Sequence, residues 1–390
     1  MQASQRLQTI IGGGSDGWDV FYRARDMKAE GIPVVELTVG EHDIGTDPSI
    51  LEAMYQAGLD GFVGYQNFQG LIALRERVAA RVQKSTGVPT NPDQVLIVPG
   101  GQAGLFATHN LACDVGDTAV YVNPYYATYP GTIRGAGAIP KEVIATAENG
   151  FQPQAADLAA ASEGAASMLI NSPNNPTGVI YSDETMEGIA RVCKDHDLWL
   201  ISDEVYDTQV WEGNHLSPRA LPDMQDRTMV IGSMSKSHAM TGSRIGWVIG
   251  SEETIGHLGN FATHTTYGVA GFVQMAAVYA LDKGPEFEAM IAAPFRRRRD
   301  LVSRLVAEQN VVRAIPAQGA MYMMLDIRAT GMSGEAFALA FLEAHHVAVM
   351  PGESFGDAAG GHVRVALTVA DDRLETSIRQ LLEFAAARAA

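Results

Sequence analysis

Residues 229–246 read MVIGSMSKSHAMTGSRIG. Met229–Gly232 is a short apolar strand that breaks at once into a loop of serines around one lysine, Lys236. The same pattern recurs upstream. VLIV at 95–98 runs into Pro99-Gly100-Gly101-Gln102, and AVYV at 119–122 into Asn123-Pro124-Tyr125-Tyr126. MLIN at 168–171 runs into Ser172-Pro173-Asn174-Asn175-Pro176-Thr177-Gly178, and LWLI at 198–201 into Ser202-Asp203-Glu204-Val205-Tyr206. Continuously apolar strands with helical stretches between them fit a mostly parallel sheet buried on both faces. The fold class is α/β.

The intervening stretches carry helix signals. Leu71, Leu74, Val78 and Val82 recur on one helical face. A helix is predicted over 102–113 after Gly100-Gly101, and another over 183–196 behind the N-cap Ser182. Beyond about residue 285 the pattern changes. An Arg-rich helix at 294–308 leads into the apolar segments VVRAI, MYMML, VAVM and VRVAL, mixed with helices at 335–345 and 371–388. That mixture predicts a smaller α+β domain, with Met321, Tyr322, Met323 and Met324 as its core packing.

Composition excludes several classes. With 390 residues, 46% hydrophobic and 19% charged, the chain can bury a substantial core, so neither disorder nor a small disulfide or zinc scaffold fits. A formal charge of -17, from 45 acidic against 28 basic residues, repels nucleic acid and anionic lipid. The one dense basic run, Arg296–Arg299, reads as a solvated helix face. Cys113 and Cys193 show no metal-ligand spacing and read as buried free thiols, and no metal site is expected. Without a leader-like segment or an apolar run of about 18 residues, a soluble cytoplasmic protein is expected. GGGSDG at 12–17 follows no strand, so it reads as a flexible segment rather than a dinucleotide fingerprint.

In an open parallel sheet, ligands bind beyond the carboxyl ends of the strands. Here those loops supply helix N-terminal amides at Gly100-Gly101, an aromatic at Tyr126, an amide at Asn175, a carboxylate and phenol at Asp203 and Tyr206, and a lysine at Lys236. Amides at a helix N-terminus, Ser233, Ser235 and the Arg244 guanidinium suit a phosphate. A partly desolvated amine suits Schiff-base chemistry, and a buried Asp203 would need a cationic partner. Taken singly, each residue has a plain reading: a solvated lysine, a glycine turn, a helix cap, a core aromatic. Chance turns and caps give no reason for these groups to follow successive strands in this order.

The stretch Ser233–Gly246 resembles the lysine motif of the class I/II aminotransferases, fold-type I pyridoxal phosphate enzymes, and the resemblance spans roughly residues 30 to 385. It implies a mostly parallel seven-stranded sheet in a large domain, 48–285, and a small α+β domain built from 1–47 and 286–390. It further implies that Lys236 holds pyridoxal phosphate as a Schiff base and shuttles the substrate proton. Asp203 matches the partner of the ring nitrogen, Tyr206 and Asn175 the residues bonding the phenolic oxygen, and Tyr126 the aromatic on the ring. Gly101, Gln102, Ser233, Ser235 and Arg244 match the phosphate cup. Arg364 and Gly40 match the groups that take the substrate α-carboxylate, beside Asn175. Tyr65 matches a tyrosine reaching the phosphate of a neighbouring subunit, so a homodimer with shared sites is implied, and His264-Thr265-Thr266-Tyr267 would lie near the partner's site. Ser172 stands where proline is frequent and His238 where an aromatic is common; His238 could reshape the cofactor pocket.

The resemblance implies ping-pong transfer of an amino group from an L-amino acid to a 2-oxo acid, plausibly 2-oxoglutarate, in amino acid metabolism. A β-lyase, synthase or decarboxylase on the same scaffold is the alternative. A pyridoxal phosphate-binding transcription regulator is remote, because only about 30 residues precede the matched region and the chain is acidic. No single arginine can be assigned to a second substrate carboxylate.

Overall fold

In the computed structural model, which describes residues 1–12 and 17–389, the apolar runs become the centre of a seven-stranded sheet. β1 (Val35–Leu37) lies outside it. Its strands are β2 (Val95–Val98), β3 (Thr118–Asn123), β4 (Ile139–Ile144), β5 (Ala165–Asn171), β6 (Trp199–Asp203), β7 (Thr228–Ser233) and β8 (Gly246–Ile249), in the order β2-β8-β7-β6-β5-β3-β4. β8 runs antiparallel to both of its neighbours, and the other pairs are parallel. β2, β3, β5, β6 and β7 therefore all end at the same edge. That edge collects the loops singled out in the sequence.

The sheet is buried because both faces are covered. Leu105, Ile133, Ile201, Met229 and Val248 pack on one side, and Val120, Met168, Ile189 and Leu200 on the other. Each such side chain removed from water contributes about 1.5–3 kcal/mol. The expected helices form at Ile72–Thr86, Gly101–Ala112 and Asp183–Asp195, the last capped by Ser182 Oγ accepting from the Thr185 N–H at 3.1 Å. Two strands escaped the apolar-run criterion. β4 is largely exposed and contains Pro140, as an edge strand can, and β8 follows its loop without a break in composition.

β1, β9 (Arg313–Ala314), β10 (Tyr322–Asp326), β11 (Val347–Pro351) and β12 (His362–Ala366) form a second sheet, ordered β1-β11-β12-β10-β9. β1 joins it in parallel with Val35 beside Val347, so residues near both chain ends share one sheet. Helices Gly334–His345 and Asp371–Ala386 arise as expected. The helix expected at 294–308 instead spans Gly284–Ala307 and continues through Pro294. Its buried stripe of Phe287, Ile291, Phe295, Val302 and Leu305 outweighs the one hydrogen bond that proline removes.

The basic run is also corrected. Arg296 and Arg297 are solvated, but Arg298 is buried and Arg299 half-buried, each paired with carboxylates from distant segments. Cys113 and Cys193 are buried and unbridged. Within GGGSDG, residues 13–16 lie outside the described residues. Among the described residues no helix is long and apolar enough to cross a membrane.

Candidate active site

The strand ends and β12 enclose a cleft of about 290 Å³. Lys236 sits on the single helical turn Met234–Ser237 that follows β7, and its Nζ donates to the Gly40 carbonyl. Ser233, the last residue of β7, caps that turn by accepting from the Ser235 N–H at 3.1 Å. Short polar side chains at a strand-to-helix junction thus orient the amine toward the second sheet.

Asp203 ends β6 and is buried. Burial pushes its carboxyl up to about 6, while bonds from the Tyr129 hydroxyl at 2.7 Å and the Val205 N–H at 3.3 Å pull the other way. Both of those partners are neutral. A buried carboxylate with neutral donors only is stabilised by a ligand that brings a cation. One turn later Tyr206 places its hydroxyl 3.0 Å from that of Tyr322, and burial raises its titration well above the usual tyrosine value.

An anion cradle occupies the other end of the cleft. Gly100 adopts a φ of 85° at the N-cap of helix Gly101–Ala112, and a Cβ there would come 2.3 Å from Arg244 Nη2. Arg244 itself takes a left-handed φ of 50° and donates to the Thr241 carbonyl at 2.8 Å. Ser235, Arg244 and the first amides of the helix thus line one wall. Gln102 contributes no free side-chain amide. Its Nε2 donates to Thr132 at 2.7 Å and its Oε1 accepts from Thr128 at 3.0 Å, which ties the side chain to that neighbouring segment and leaves its backbone N–H at the helix N-terminus for a ligand.

Arg364, on β12, is buried between the rings of Tyr322 and Phe355, 4.4 and 4.3 Å from the guanidinium carbon. It donates to Asn175 Oδ1 at 2.8 Å and to the Thr38 carbonyl, and its Nε is without a hydrogen-bond partner in the protein. A Cβ on Gly40 would stand 1.7 Å from the Tyr322 hydroxyl, so only glycine fits there. Tyr126 lines the cleft, edge-on to Tyr129 with centroids 5.7 Å apart.

All the singled-out residues meet in this cleft except Tyr65, which is 87% exposed against Tyr267. His238 is another exception to expectation: it packs on Phe287 and bonds Ser237 at 2.8 Å, away from the cleft lining. Tyr322 adds a cleft role to the core packing expected for 321–324. Met321, Tyr322 and Met323 all enter one core cluster and Met324 another, as expected, and Tyr322 in addition presents its hydroxyl to the cleft. Tyr129 was missed too: it opens the helix Tyr129–Ala136, and nothing in the sequence around it marks its bond to Asp203.

The chemistry of this donor set fits pyridoxal phosphate: a glycine-lined cradle for the phosphate, an uncompensated buried carboxylate for the ring nitrogen, and an amine between them. The profile of the family described as aminotransferase class I and II matches residues 32–381. The chain is 40% identical to the arginine-pyruvate transaminase of Pseudomonas aeruginosa, over 98% of this chain and 97% of that protein. It is 32% identical to the aspartate/prephenate aminotransferase of Thermus thermophilus, over 92% of each chain. A solved double mutant of Thermus thermophilus aspartate aminotransferase superposes with a TM-score of 0.92 at 30% identity, over 98% of this chain and 100% of that one. Fold, cleft chemistry and likeness agree: the chain belongs to the class I and II aminotransferases, pyridoxal phosphate-dependent enzymes that move an amino group between amino acids and 2-oxo acids.

Proposed function

We propose that this cleft transfers the amino group of an L-amino acid with a neutral or cationic side chain to a 2-oxo acid, by a ping-pong route through Lys236. The observation that carries the reading is the convergence of the Lys236 amine, the buried Asp203 carboxylate and the Arg364 guanidinium on one cleft. When bound, pyridoxal phosphate supplies an electron-withdrawing ring that makes the substrate Cα proton labile. The protein's own groups do the rest. Ser233, Ser235, Arg244 and the N–H groups of Gly101 and Gln102 hold the phosphate, Asp203 stabilises the charged ring nitrogen, Asn175 and Tyr206 donate to the phenolic oxygen, and Tyr126 covers the ring. Arg364, with Gly40 and Asn175, takes the α-carboxylate, which sets the Cα hydrogen within reach of the Lys236 amine. Lys236 then removes that proton and returns it on the other side of the transfer.

The substrate class follows from charge. Lys236, Arg244, Arg364 and Asp203 are committed to these roles, and among the described residues the remaining charged group on the cleft lining is Glu41, which accepts from Thr241 at 3.0 Å. Among the described residues of this lining a second substrate carboxylate has no further cation to pair with, whereas a cationic side chain has Glu41. The name of the 40% identical relative supports an arginine-like donor, and we place pyruvate beside 2-oxoglutarate as acceptor.

The large cofactor domain is 48–285 and the small one 1–47 with 286–390 in this reading, and the acidic surface and buried thiols support a soluble cytoplasmic enzyme. Leu51, Tyr55 and Leu59 form one exposed face of helix Pro48–Leu59, continued by Val63, Tyr65 and Tyr267. An apolar face of this extent supports a homodimer in which Tyr65 reaches the partner's phosphate site. The test is the half-reaction. Arginine or lysine added without any oxo acid should convert the bound cofactor to its amine form faster than aspartate does. No conversion by any amino acid would sink the aminotransferase reading, and faster conversion by aspartate would sink the substrate class.

A further inference from the structure

Arg298 uses every nitrogen of its guanidinium. Nη1 and Nη2 clasp the Asp43 carboxylate at 2.9 and 2.6 Å, Nε donates to Asp371 at 2.9 Å, and Nη1 also reaches the Leu367 carbonyl at 3.0 Å. Its side chain is 5% exposed. The acceptors belong to two stretches remote from Arg298 and from each other in sequence, the 40–43 loop and residues 367–371. Asp43 closes the loop Gly40-Glu41-His42-Asp43, whose Gly40 carbonyl accepts from Lys236 Nζ. Leu367 directly follows β12, the strand that carries Arg364. Asp371 opens the helix Asp371–Ala386. The same junction is stitched twice more: Thr368 Oγ1 donates to the Val39 carbonyl at 3.2 Å, and Arg364 donates to the Thr38 carbonyl. His42 packs edge-on against Phe295, three residues before Arg298 on its helix.

We propose that Arg298 is a positioning residue for substrate binding, locking the 40–43 loop to the exit of β12 so that the Gly40 peptide and the Arg364 guanidinium face one carboxylate at fixed separation. A planar fork with donors in set directions can hold three acceptors on two stretches of chain at once, which a lysine ammonium on a flexible stem cannot. The phosphate cradle and Asp203 stand on the large sheet and share no bond with Arg298. The loop touches the cofactor end only through the Lys236–Gly40 and Thr241–Glu41 hydrogen bonds, so loss of the clasp loosens the substrate end of the cleft far more than the cofactor end. The inference rests on the reading that Arg364 takes the α-carboxylate.

The experiment uses the cofactor-loaded enzyme with Asp43→Asn, Arg298→Lys and, as a reference, Arg364→Ala. Three quantities are read: the KM of the amino donor, the dissociation constant of its unreactive α-methyl analogue from the visible absorbance, and the dissociation constant of pyridoxal phosphate. Asp43→Asn and Arg298→Lys should each raise the first two roughly tenfold, while the third stays within about twofold. Combining them should add little to either alone, because both cut the same link. Unchanged donor and analogue binding in both variants, or an equal loss of cofactor affinity, overturns the proposal. If Arg364→Ala leaves donor binding intact, the underlying carboxylate reading fails; if it weakens donor binding while both other variants are silent, that reading stands and the role of Arg298 falls.

Discussion

At the scale of single residues, the burial of Asp203 has a measurable consequence. Burial outweighs the Tyr129 and Val205 hydrogen bonds and the attraction of Lys236, so its carboxyl is pushed up to about 6 in the folded protein, against 3.8 for an unperturbed aspartate. Between these values the folded cofactor-free protein retains a proton that the unfolded chain has lost, so stability falls as pH rises through that window. The span corresponds to about 3 kcal/mol. Melting of the cofactor-free protein should therefore drop between pH 4 and 6.5 by more than that of Asp203→Asn; parallel profiles for the two would contradict the assignment. Tyr129→Phe removes one of the two neutral donors that favour the charged form. Its expected result is pyridoxal phosphate affinity weakened roughly fivefold at pH 8 with the fold intact, checked by equilibrium dialysis. Arg364→Ala should raise the donor KM by about ten- to a hundredfold, the magnitude of a charge-assisted hydrogen bond, with a smaller effect on kcat.

At the scale of elements, legibility in the sequence tracked burial. β2 and β7 are buried at every position, and their apolar stretches, Val95–Val98 and Met229–Gly232, stand out in the sequence as runs. Edge strand β4 exposes most of its side chains and is invisible to the same criterion. The polar ends of β2, β3, β5, β6 and β7 could be read because chemistry-bearing residues at strand ends have few structural reasons to be there. Tyr322 and Arg298 could not, because an aromatic in an apolar segment and an arginine in a basic run carry no local sign of what a distant strand or loop brings to them. Gly40 shows the converse, a residue whose need is created entirely by tertiary contact. Gly40→Ala should push the Tyr322 hydroxyl aside and with it the ring against Arg364, raising the donor KM without lowering cofactor affinity. Restoration by a second change, Tyr322→Phe, would locate the clash at that hydroxyl, and no restoration would place the damage elsewhere.

At the scale of the whole molecule, an acidic chain gathers its cations where anions must bind. The net charge of -17 repels polyanionic partners, while Arg244, Lys236 and Arg364 give one cleft the opposite local sign. The apolar face of helix Pro48–Leu59 argues for assembly into a dimer. Tyr55→Glu with Leu59→Glu should shift sedimentation from dimer to monomer and lower cofactor affinity, since Tyr65 would lose its partner's site; a monomeric native protein would contradict this. The central claim is that Lys236 is the residue that bonds the cofactor. Borohydride reduction of the loaded enzyme followed by peptide mass mapping tests it most directly. The account predicts a single modified peptide with the cofactor fixed on Lys236 and none in Lys236→Ala, whereas a cofactor adduct on any other lysine, or its persistence in Lys236→Ala, would contradict it.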